Sequence, residues 1–431
     1  MLFRWKYLPA HFRAPIALAR VEEVRDDGHI GVAYRPSRRT SPNSEALVEA
    51  ARDLFARSGP GAVSIRSVAE AAGCSHTLVG RHFGSKAGLE AAVIDRLATG
   101  LNVLVTRQCS DPEWSLAAVL KAMRDHPAAA KLILRTALGE FDAAPLVKGH
   151  NIAVCLAERV EEVRGGDPRS PSPTAKITAY LTLSSVLGYL ALEDFLVHAT
   201  RSSDVPVSMR DAAVVDAGRM IFERGCDTAT NLTWETIPPA RRKRSAPVAI
   251  GGTGEEALLR AAIDLYVERG PGNVTTRDIA DRAGVNQGLI YHYYPSREAL
   301  ISRAIETANR PLAEVTEPEG RFDLAPLVRL SPELKPVVIM ARYLLDGGRI
   351  LDVRRHFPVI DAVLARYSSV PVGRGDGSLS DPRLAVLASA ATFQATAIVD
   401  RVVRGMLKIP ASADLGSAQV TTIEFLLSQA D

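Results

Sequence analysis

The chain of 431 residues is poor in cysteine, aromatic residues and excess charge, and each scarcity excludes a class of protein. Four cysteines without a CxxC pair exclude the usual zinc modules and disulfide frameworks, so we expect four reduced thiols and no metal site. Aromatic residues make up only 6%, while alanine and leucine are abundant, which favours helices over sheets. A net charge of +3 excludes a basic stripe along the whole surface and allows only local basic patches.

Long apolar runs are also missing. Residues 177–192 and 385–399 are almost free of charge, but both fall short of the roughly 20 residues that a membrane span needs. We expect both to be helices buried on all sides in a protein core. Arg13 and Arg20 interrupt the apolar residues near the start, so no signal-peptide core of the usual length forms. The sequence therefore predicts a cytoplasmic protein that does not engage a membrane.

An internal repeat divides the chain into two units. Residues 46–89 match residues 257–300 at a constant offset of 211, and about 17 of the 44 aligned positions are identical. The first helix of each copy carries apolar residues at i, i+3, i+4, i+7 and i+8, which form one buried stripe. Both helices are predicted to stop at Gly-Pro-Gly, residues 59–61 and 270–272, because glycine supplies a left-handed cap and proline prevents continuation.

Two short helices follow the Gly-Pro-Gly triplet in each copy. The first of them opens at a hydroxyl cap, Ser64 or Thr275. A tight turn at Gly73 or Gly284 then leads into the next helix. A helix, a short turn and a second helix across a glycine are the signature of a helix-turn-helix.

The residues of the two copies resemble a known motif. In the second copy they are Thr275, Arg277, Ile279, Ala280, Ala283, Gly284, Val285, Gly288, Tyr291, Ser296 and Leu300. In the first copy they are Arg66, Ala69, Ala72, Gly73, Ser75, His82, Phe83, Ser85, Lys86 and Leu89. Both sets resemble the DNA-binding unit of the TetR family of bacterial regulators. Thr77 replaces the glycine of that motif and Gly80 its tyrosine, which commonly touches a DNA phosphate in the family, so we expect the first unit to bind DNA more weakly or to read a different half-site.

The resemblance implies an all-α fold of two TetR-like units, each an N-terminal helix-turn-helix domain followed by a helical ligand-binding and dimerisation domain. We expect a single-chain pseudo-dimer held by helices from residues 174–225 and 382–429, with further dimerisation of chains left open. Residues 145–164 and 352–368 are each expected to be one helix. The predicted domains are a flexible basic arm (1–43), helix-turn-helix domains (44–90 and 254–300), helical regulatory domains (91–234 and 301–431) and a basic Pro/Gly linker (235–253).

The resemblance places DNA-contacting side chains on both helix-turn-helix domains. Arginines and lysines near helix starts are candidate phosphate contacts, and Gln287 can read a base edge through two hydrogen bonds. Ordinary solvated side chains remain the alternative throughout, and a helix-stabilising ion pair is the alternative for the arginines. The candidates are Arg66, Ser75, His76, Thr77, Arg81, His82 and Lys86 in the first unit, and Thr275, Arg277, Asn286, Gln287, Gly288, Tyr291, His292, Tyr293 and Arg297 in the second.

The expected partner is a double-stranded DNA operator. It should be asymmetric, because the recognition helices differ in sequence at residues 75–77 and 286–288. The resemblance also implies an unidentified small-molecule effector bound among the regulatory helices, and no cofactor. Aromatic side chains are the candidate pocket lining, with simple core packing as the alternative for each. They are Trp114, Phe141, Tyr180, Tyr189, Phe195, Tyr343, Phe357, Tyr367 and Phe393.

Two other classes of function compete with a repressor that an effector releases from DNA. An enzyme is not expected, because HExxH, GxSxG, phosphate-loop and dinucleotide motifs are missing from the sequence. A helical protein-interaction scaffold with partly decayed DNA-binding units stays open. Salt separates the two cases, since a DNA-binding protein loses affinity as salt rises and a scaffold binds no specific DNA at any salt concentration.

Overall fold

The computed structural model describes residues 41–109, 116–148, 151–236, 254–314, 334–368 and 378–430. These residues are helical almost throughout, which confirms the predicted all-α fold. Three parts of the sequence predictions lie outside the described residues: residues 1–40 of the predicted arm, residues 237–253 of the predicted linker, and Trp114.

The first half starts with three helices of a DNA-binding domain and continues into regulatory helices. Its elements are α1 (Pro42–Ala62), α2 (Ile65–Ala71), α3 (Thr77–Phe83), α4 (Lys86–Cys109), α5 (Leu116–Asp125), α6 (Pro127–Ala137), α7 (Ala144–Val147), α8 (Ile152–Val163), α9 (Pro173–Ala199), α10 (Val207–Cys226) and the strand β1 (Glu235–Thr236).

The second half has a similar order of helices over its described residues. Its elements are α11 (Gly254–Arg269), α12 (Thr276–Ala283), α13 (Gly288–Tyr293), α14 (Arg297–Glu314), α15 (Lys335–Leu345), α16 (Ile350–Val353), α17 (Pro358–Ser368), α18 (Pro382–Leu407), the strand β2 (Ala413–Asp414) and α19 (Gly416–Leu427). A 3₁₀ turn, Pro271–Asn273, follows α11.

The helix-turn-helix domains form as their local sequence predicts. Gly59 and Gly270 both adopt positive φ, 71° and 82°, so the first helix of each copy is broken at its Gly-Pro-Gly triplet. Ser64 and Thr275 cap α2 and α12, each accepting a hydrogen bond from a backbone N–H in the first turn. Asp278 accepts in return from the Thr275 backbone N–H at 2.8 Å, which completes a capping box.

The centre of the molecule is the contact between α9 and α18, one long helix from each half. The charge-free segments predicted at 177–192 and 385–399 lie within them. The helices are 27 and 26 residues long, and by length and composition alone both are long and apolar enough to cross a membrane. However, 78% of the most apolar window of each is buried inside the fold, as the prediction of core helices requires.

A glycine allows the two central helices to approach closely. A Cβ atom placed on Gly188 of α9 would lie 2.1 Å from the Ala391 carbonyl oxygen of α18 and 2.7 Å from the Ala395 Cβ. No side chain fits at that distance. The backbones of the two halves therefore meet directly at this point.

Polar contacts across the two halves flank this apolar core. The Tyr180 hydroxyl of α9 donates to Asp400 Oδ1 of α18 at 2.8 Å. The Arg224 guanidinium of α10 donates to the Thr421 carbonyl oxygen of α19 at 2.8 Å and lies over the Phe425 ring. Helices α9, α10, α18 and α19 together form the contact region that was predicted to join the units.

A buried ion network joins α6 of the first half to α15 of the second. Arg135, fully buried, pairs with Glu140 at 2.9 Å and with Asp346 at 2.8 Å. Arg342 of α15, also buried, pairs with the same Glu140 at 2.9 Å. Each guanidinium also donates to a backbone carbonyl oxygen near the end of the helix opposite. Buried charges of this kind persist only when paired, so the network holds the two halves in one register.

The same network touches the Gly-Pro-Gly turns of both DNA-binding domains. A Cβ on Gly59 would lie 2.8 Å from an Arg135 nitrogen, and the Gly272 backbone N–H donates to Asp346 at 3.2 Å. The two turns also approach each other, because a Cβ on Gly61 would lie 2.9 Å from Asn273 Oδ1. The positions of the two DNA-binding domains are therefore coupled through packed atoms.

Several sequence predictions about local structure are wrong. The helix expected at 145–164 is two helices, α7 and α8, and Asn151 caps the second of them. The helix expected at 352–368 is broken before Pro358, since a residue that precedes proline disfavours the helical region. The strands β1 and β2 pair antiparallel, although no strand was predicted. Cys155 is disulfide-bonded and not reduced, while Cys74 and Cys226 are free thiols.

Replacing Gly188 with alanine should destabilise the protein. The new methyl group would overlap the Ala391 carbonyl oxygen, and overpacking of a core typically costs about 1–3 kcal/mol of unfolding free energy. Gly80→Ala is the matched control, because a Cβ placed on Gly80 would meet no atom within 4 Å and the better helix propensity of alanine should add up to about 1 kcal/mol. Chemical denaturation followed by circular dichroism measures both, and equal effects of the two substitutions would contradict the close approach of α9 and α18.

Candidate nucleic-acid interface

The helix-turn-helix of the second unit buries one face and leaves the other in solvent. Ile279 of α12 and Ile290 of α13 are buried against α11. Tyr294, just after α13, is also buried, and its hydroxyl donates to Glu255 at 3.2 Å. Burial, and then the neighbouring Glu255 carboxylate, raises the pKa of Tyr294 to about 12, so the phenol stays protonated as a donor. These contacts fix the recognition helix on its own domain.

Three polar side chains on the exposed face of the second unit are linked by short distances. Gln287 Nε2 donates to Thr276 Oγ1 at 2.8 Å, and the Tyr291 hydroxyl lies 3.5 Å from the same oxygen. Tyr291 is 61% exposed. We call Thr276, Gln287 and Tyr291 the polar trio. Beside it, Asn286 Oδ1 accepts from the Gly288 backbone N–H at 2.8 Å and so caps α13.

The first unit exposes five of its predicted contact residues, Arg66, Ser75, His76, Thr77 and Arg81, but lacks the polar trio. Its equivalent positions are Ile65, His76 and Gly80, so the linking hydroxyl and the phenol are both missing. Ser75 and Thr77 are exposed, with their hydroxyl oxygens 2.9 Å apart. The two recognition surfaces therefore differ in chemistry as well as in sequence.

The predicted arginine contacts lie on the exposed surface of α2, α3 and α12. Arg66, Arg81 and Arg277 are all exposed. The Arg277 side chain is 81% exposed, and its Nε lies 3.8 Å from Asp281, a loose pair that leaves the guanidinium in solvent. His82, by contrast, is half-buried, with Nε2 3.3 Å from the Ser41 hydroxyl at the start of α1.

Thr275, His292 and Tyr293 have unequal access to a partner outside the domain. The Thr275 hydroxyl donates to Asp278 at 2.6 Å, so it is engaged in capping α12, and this hydrogen bond lowers the pKa of Asp278. His292 is exposed, while Tyr293 is half-buried, and their rings meet edge to face with centroids 5.1 Å apart.

Lys86 and Arg297, predicted to contact DNA phosphates, are used inside their own domains. Lys86 Nζ donates to the Pro60 carbonyl oxygen, and an Arg297 guanidinium nitrogen donates to the Pro271 carbonyl oxygen. Both residues thus tie the first turn of the helix that follows the recognition helix to the Gly-Pro-Gly turn. The repeat preserves this contact in both units, although sequence alone offered no sign of it.

A small cavity lies in the second regulatory domain, and the first unit closes one side of it. Its volume is about 80 Å³. Three of the predicted aromatic residues line it, namely Phe195 of α9, Phe357 and Phe393 of α18. The rings of Phe195 and Phe357 meet edge to face with centroids 5.4 Å apart. The cavity wall therefore contains a residue from each half of the chain.

The other predicted lining residues lie elsewhere. Phe141 packs on Phe55 in the core of the first DNA-binding domain, with ring centroids 5.8 Å apart. Tyr180 lies in the contact between the units, where its hydroxyl is bonded to Asp400. Neither residue lines this cavity.

Tyr189, Tyr343 and Tyr367 also lie outside the wall of this cavity. The Tyr189 hydroxyl donates to Glu193 at 3.2 Å and accepts from Arg124 at 3.3 Å. It belongs to an ion cluster around Arg124, next to a more open, polar groove of about 480 Å³. Tyr343 and Tyr367 are half-buried.

Sequence reasoning missed four polar residues of the cavity, Asn309, Arg354, Ser389 and Gln394. Ser389 and Gln394 lie on α18 inside the charge-free segment, where periodicity gives a polar residue no distinctive signal. Arg354 lies in the break before α17, in a stretch that was predicted to be continuous helix. No sequence pattern indicated that these residues share a site.

Replacing Arg297 with methionine should weaken the second helix-turn-helix, because the Pro271 carbonyl oxygen loses its donor. We expect the unfolding free energy of this domain to fall by about 1 kcal/mol. This loss is smaller than is usual for a charged donor, because the Arg297 side chain is exposed. Arg277→Met is the matched control and should change it by less than about 0.5 kcal/mol, since its ion pair is exposed. Hydrogen exchange of the amides of α12 and α13 measures both, and equal exchange in the two variants would contradict the internal role of Arg297.

Comparison with known proteins identifies the family. The family described as "Bacterial regulatory proteins, tetR family" matches residues 47–93 and 258–304. The chain is 33% identical over 142 residues to the HTH-type transcriptional repressor Rv3405c of Mycobacterium tuberculosis (strain ATCC 25618 / H37Rv), covering 31% of this chain and 71% of that protein. It is 42% identical over 48 residues to the HTH-type transcriptional repressor KstR2 of Rhodococcus jostii (strain RHA1), covering 11% of this chain and 24% of that protein. The chain therefore belongs to the TetR family and is a DNA-binding transcriptional regulator that contains two TetR-type DNA-binding units.

Proposed function

We propose that the protein is a cytoplasmic repressor, without enzymatic activity, that binds one asymmetric operator as a single-chain pseudo-dimer. Helices α3 and α13 enter successive major grooves of the same duplex, and a small-molecule effector releases the protein from DNA. The observation that carries this proposal is the contact of α9 with α18, since it pairs the two units within one chain. Two relatives that bear the name transcriptional repressor support repression as the outcome.

Covalent linkage changes how the two recognition helices act. Two linked binding modules engage DNA with a high effective concentration, so the second contact does not depend on protein concentration. The buried ion network of Arg135, Glu140, Arg342 and Asp346 supports a fixed separation of the two domains. Half-sites one helical turn apart, about 34–36 Å, are the spacing that a helix-turn-helix pair reads.

The roles of individual residues follow from their exposure. Arg66 and Arg277 contact phosphates, while His76, Arg81, Asn286 and Gln287 read base edges, helped by Ser75, Thr77 and Gly288 where the backbone comes close. Tyr291, His292 and Tyr293 contact the DNA backbone. Thr275, His82, Lys86 and Arg297 support the domain from inside, as their hydrogen bonds to Asp278, Ser41, Pro60 and Pro271 suggest.

The second unit is the stronger DNA binder in this proposal. Its polar trio holds the Gln287 amide and the Tyr291 hydroxyl in place before DNA arrives, which lowers the entropy lost on binding. The first unit has Gly80 at the position of Tyr291 and so offers one backbone contact fewer. Release by effector would follow from a ligand that favours a different spacing of the two domains, which is a coupling between two sites through one two-state element.

Protection footprinting on the DNA upstream of the protein's own gene, at two salt concentrations, tests the proposal. We expect a salt-sensitive footprint with two unlike half-sites about one helical turn apart. Two like half-sites would instead indicate two chains that each use only the second unit. A search for bound sites in genomic DNA that finds none at any salt concentration would favour the scaffold alternative.

The double variant Arg277→Ala/Tyr291→Phe should weaken operator binding more than the double variant Arg66→Ala/Arg81→Ala. The first pair removes contacts from the unit with the polar trio, and each lost phosphate contact lowers the slope of affinity against salt by about one. Fluorescence anisotropy with the footprinted duplex, at several salt concentrations, measures affinity and slope. Equal losses in the two double variants would contradict the inequality of the units.

A further inference from the structure

The cavity in the second regulatory domain contains polar atoms that the protein leaves without partners. Ser389 and Gln394 are only 3% and 8% exposed. Ser389 Oγ and Gln394 Oε1 have no hydrogen-bond partner in the part of the chain that the structure describes. Both side chains line the cavity. A buried polar atom without a hydrogen-bond partner destabilises a protein. Such atoms in a cavity wall therefore point to a bound molecule that supplies the missing hydrogen bonds.

Arg354 brings a positive charge to the same cavity. Its Nε donates to the His356 carbonyl oxygen at 2.9 Å, and its guanidinium carbon lies 5.9 Å from the Phe357 ring centre. Within the described ranges no carboxylate lies within ion-pair distance of it. Glu306 acts on it only from farther away and is itself exposed and paired with Arg303 at 3.0 Å.

Partial burial makes this cation costly. Arg354 is half-buried, and the partial removal of its guanidinium from water lowers its pKa from the ordinary value. A charge in apolar surroundings needs an opposite charge or several hydrogen bonds to offset its lost hydration. An anion bound in the cavity would supply both at once, and a carboxylate matches the planar fork of a guanidinium.

The remaining wall fixes the rest of the ligand. Apart from Asn309 it is apolar, with Phe195, Phe357 and Phe393 among side chains such as Val337, Met340 and Leu427. One guanidinium in a volume of about 80 Å³ suits a singly charged head group and not a phosphate dianion, which would need more donors.

We propose that this cavity binds one apolar monocarboxylic acid per chain, with its carboxylate accepting hydrogen bonds from the Arg354 guanidinium, from the Ser389 hydroxyl and, once the amide has rotated, from the Gln394 NH2 group. The proposal deepens the effector part of the proposed function and rests on it only for the effect on DNA. Because Phe195 belongs to α9 and the rest of the wall to the second half, the acid contacts both units at once.

Calorimetric titration of the full chain, free of DNA, tests the ligand class. The probes are butanoate, hexanoate and octanoate, each compared with the alcohol and the amine of the same chain length. We expect one acid to bind with a stoichiometry of one per chain and at least about tenfold more tightly than its alcohol, with no binding of the amine. Equal binding of acid and alcohol, or no binding of any of the acids, overturns the proposal.

Arg354→Met separates a ligand role from a structural one. We expect this variant to lose the preference for acid over alcohol, and to unfold without ligand at the same or a higher temperature than the unaltered chain, since it removes a half-buried charge that has no carboxylate partner among the described residues. Gln394→Leu is the matched control, which should bind more weakly but keep the preference for the acid. An Arg354→Met chain that unfolds at a clearly lower temperature, or that keeps the preference, overturns the proposal.

The outcomes are separable from those of the operator experiments. Titration is done without DNA, and footprinting is done without acid. If no acid binds but the two-site footprint is intact, only the proposed ligand class is overturned. Acid binding without a specific footprint would overturn the proposed repressor function, while the proposed ligand site would stand.

Discussion

The contact between α9 and α18 is the constraint on which the arrangement of the whole molecule depends. Both helices are buried on nearly every side, and at Gly188 the two backbones touch without an intervening side chain. Such a contact leaves little freedom of rotation or sliding, because a packed core resists even the addition of one methyl group. The close contact therefore fixes both the angle between α9 and α18 and their relative position along the helix axes.

The buried ion network carries this constraint from the regulatory helices to the DNA-binding domains. Arg135 and Arg342 lie near the ends of α6 and α15, and each donates to a carbonyl oxygen at the end of the opposite helix. Both share Glu140 as an acidic partner, and Arg135 also pairs with Asp346.

Sequence reasoning succeeded where local rules decide the structure. The caps at Ser64 and Thr275 and the breaks at Gly59 and Gly270 follow from backbone preferences that act over a few residues. The central helices were found because nearly every residue in them is apolar or small. The repeat itself supplied the family and the two-unit plan.

Sequence reasoning failed where residues distant in the chain meet. Lys86 and Arg297 were predicted to contact phosphates from their positions at helix starts, and that pattern gave no sign that each also donates to a carbonyl oxygen 26 residues earlier in the chain. The aromatic residues could not be sorted into core and cavity, because ring size predicts burial and not the neighbour. Arg354, Ser389 and Gln394 have no shared pattern, and only the fold brings them to one wall.

The intramolecular pairing of α9 with α18 has a consequence for inheritance. In an ordinary dimeric repressor, a defective subunit pairs with intact ones and spoils them, so one faulty gene copy can silence a good one. Here each chain fills this contact with its own second half. A damaged allele therefore leaves the product of an intact allele unaffected at this interface. The two recognition helices are also inherited together, so both can change over generations without losing their partner.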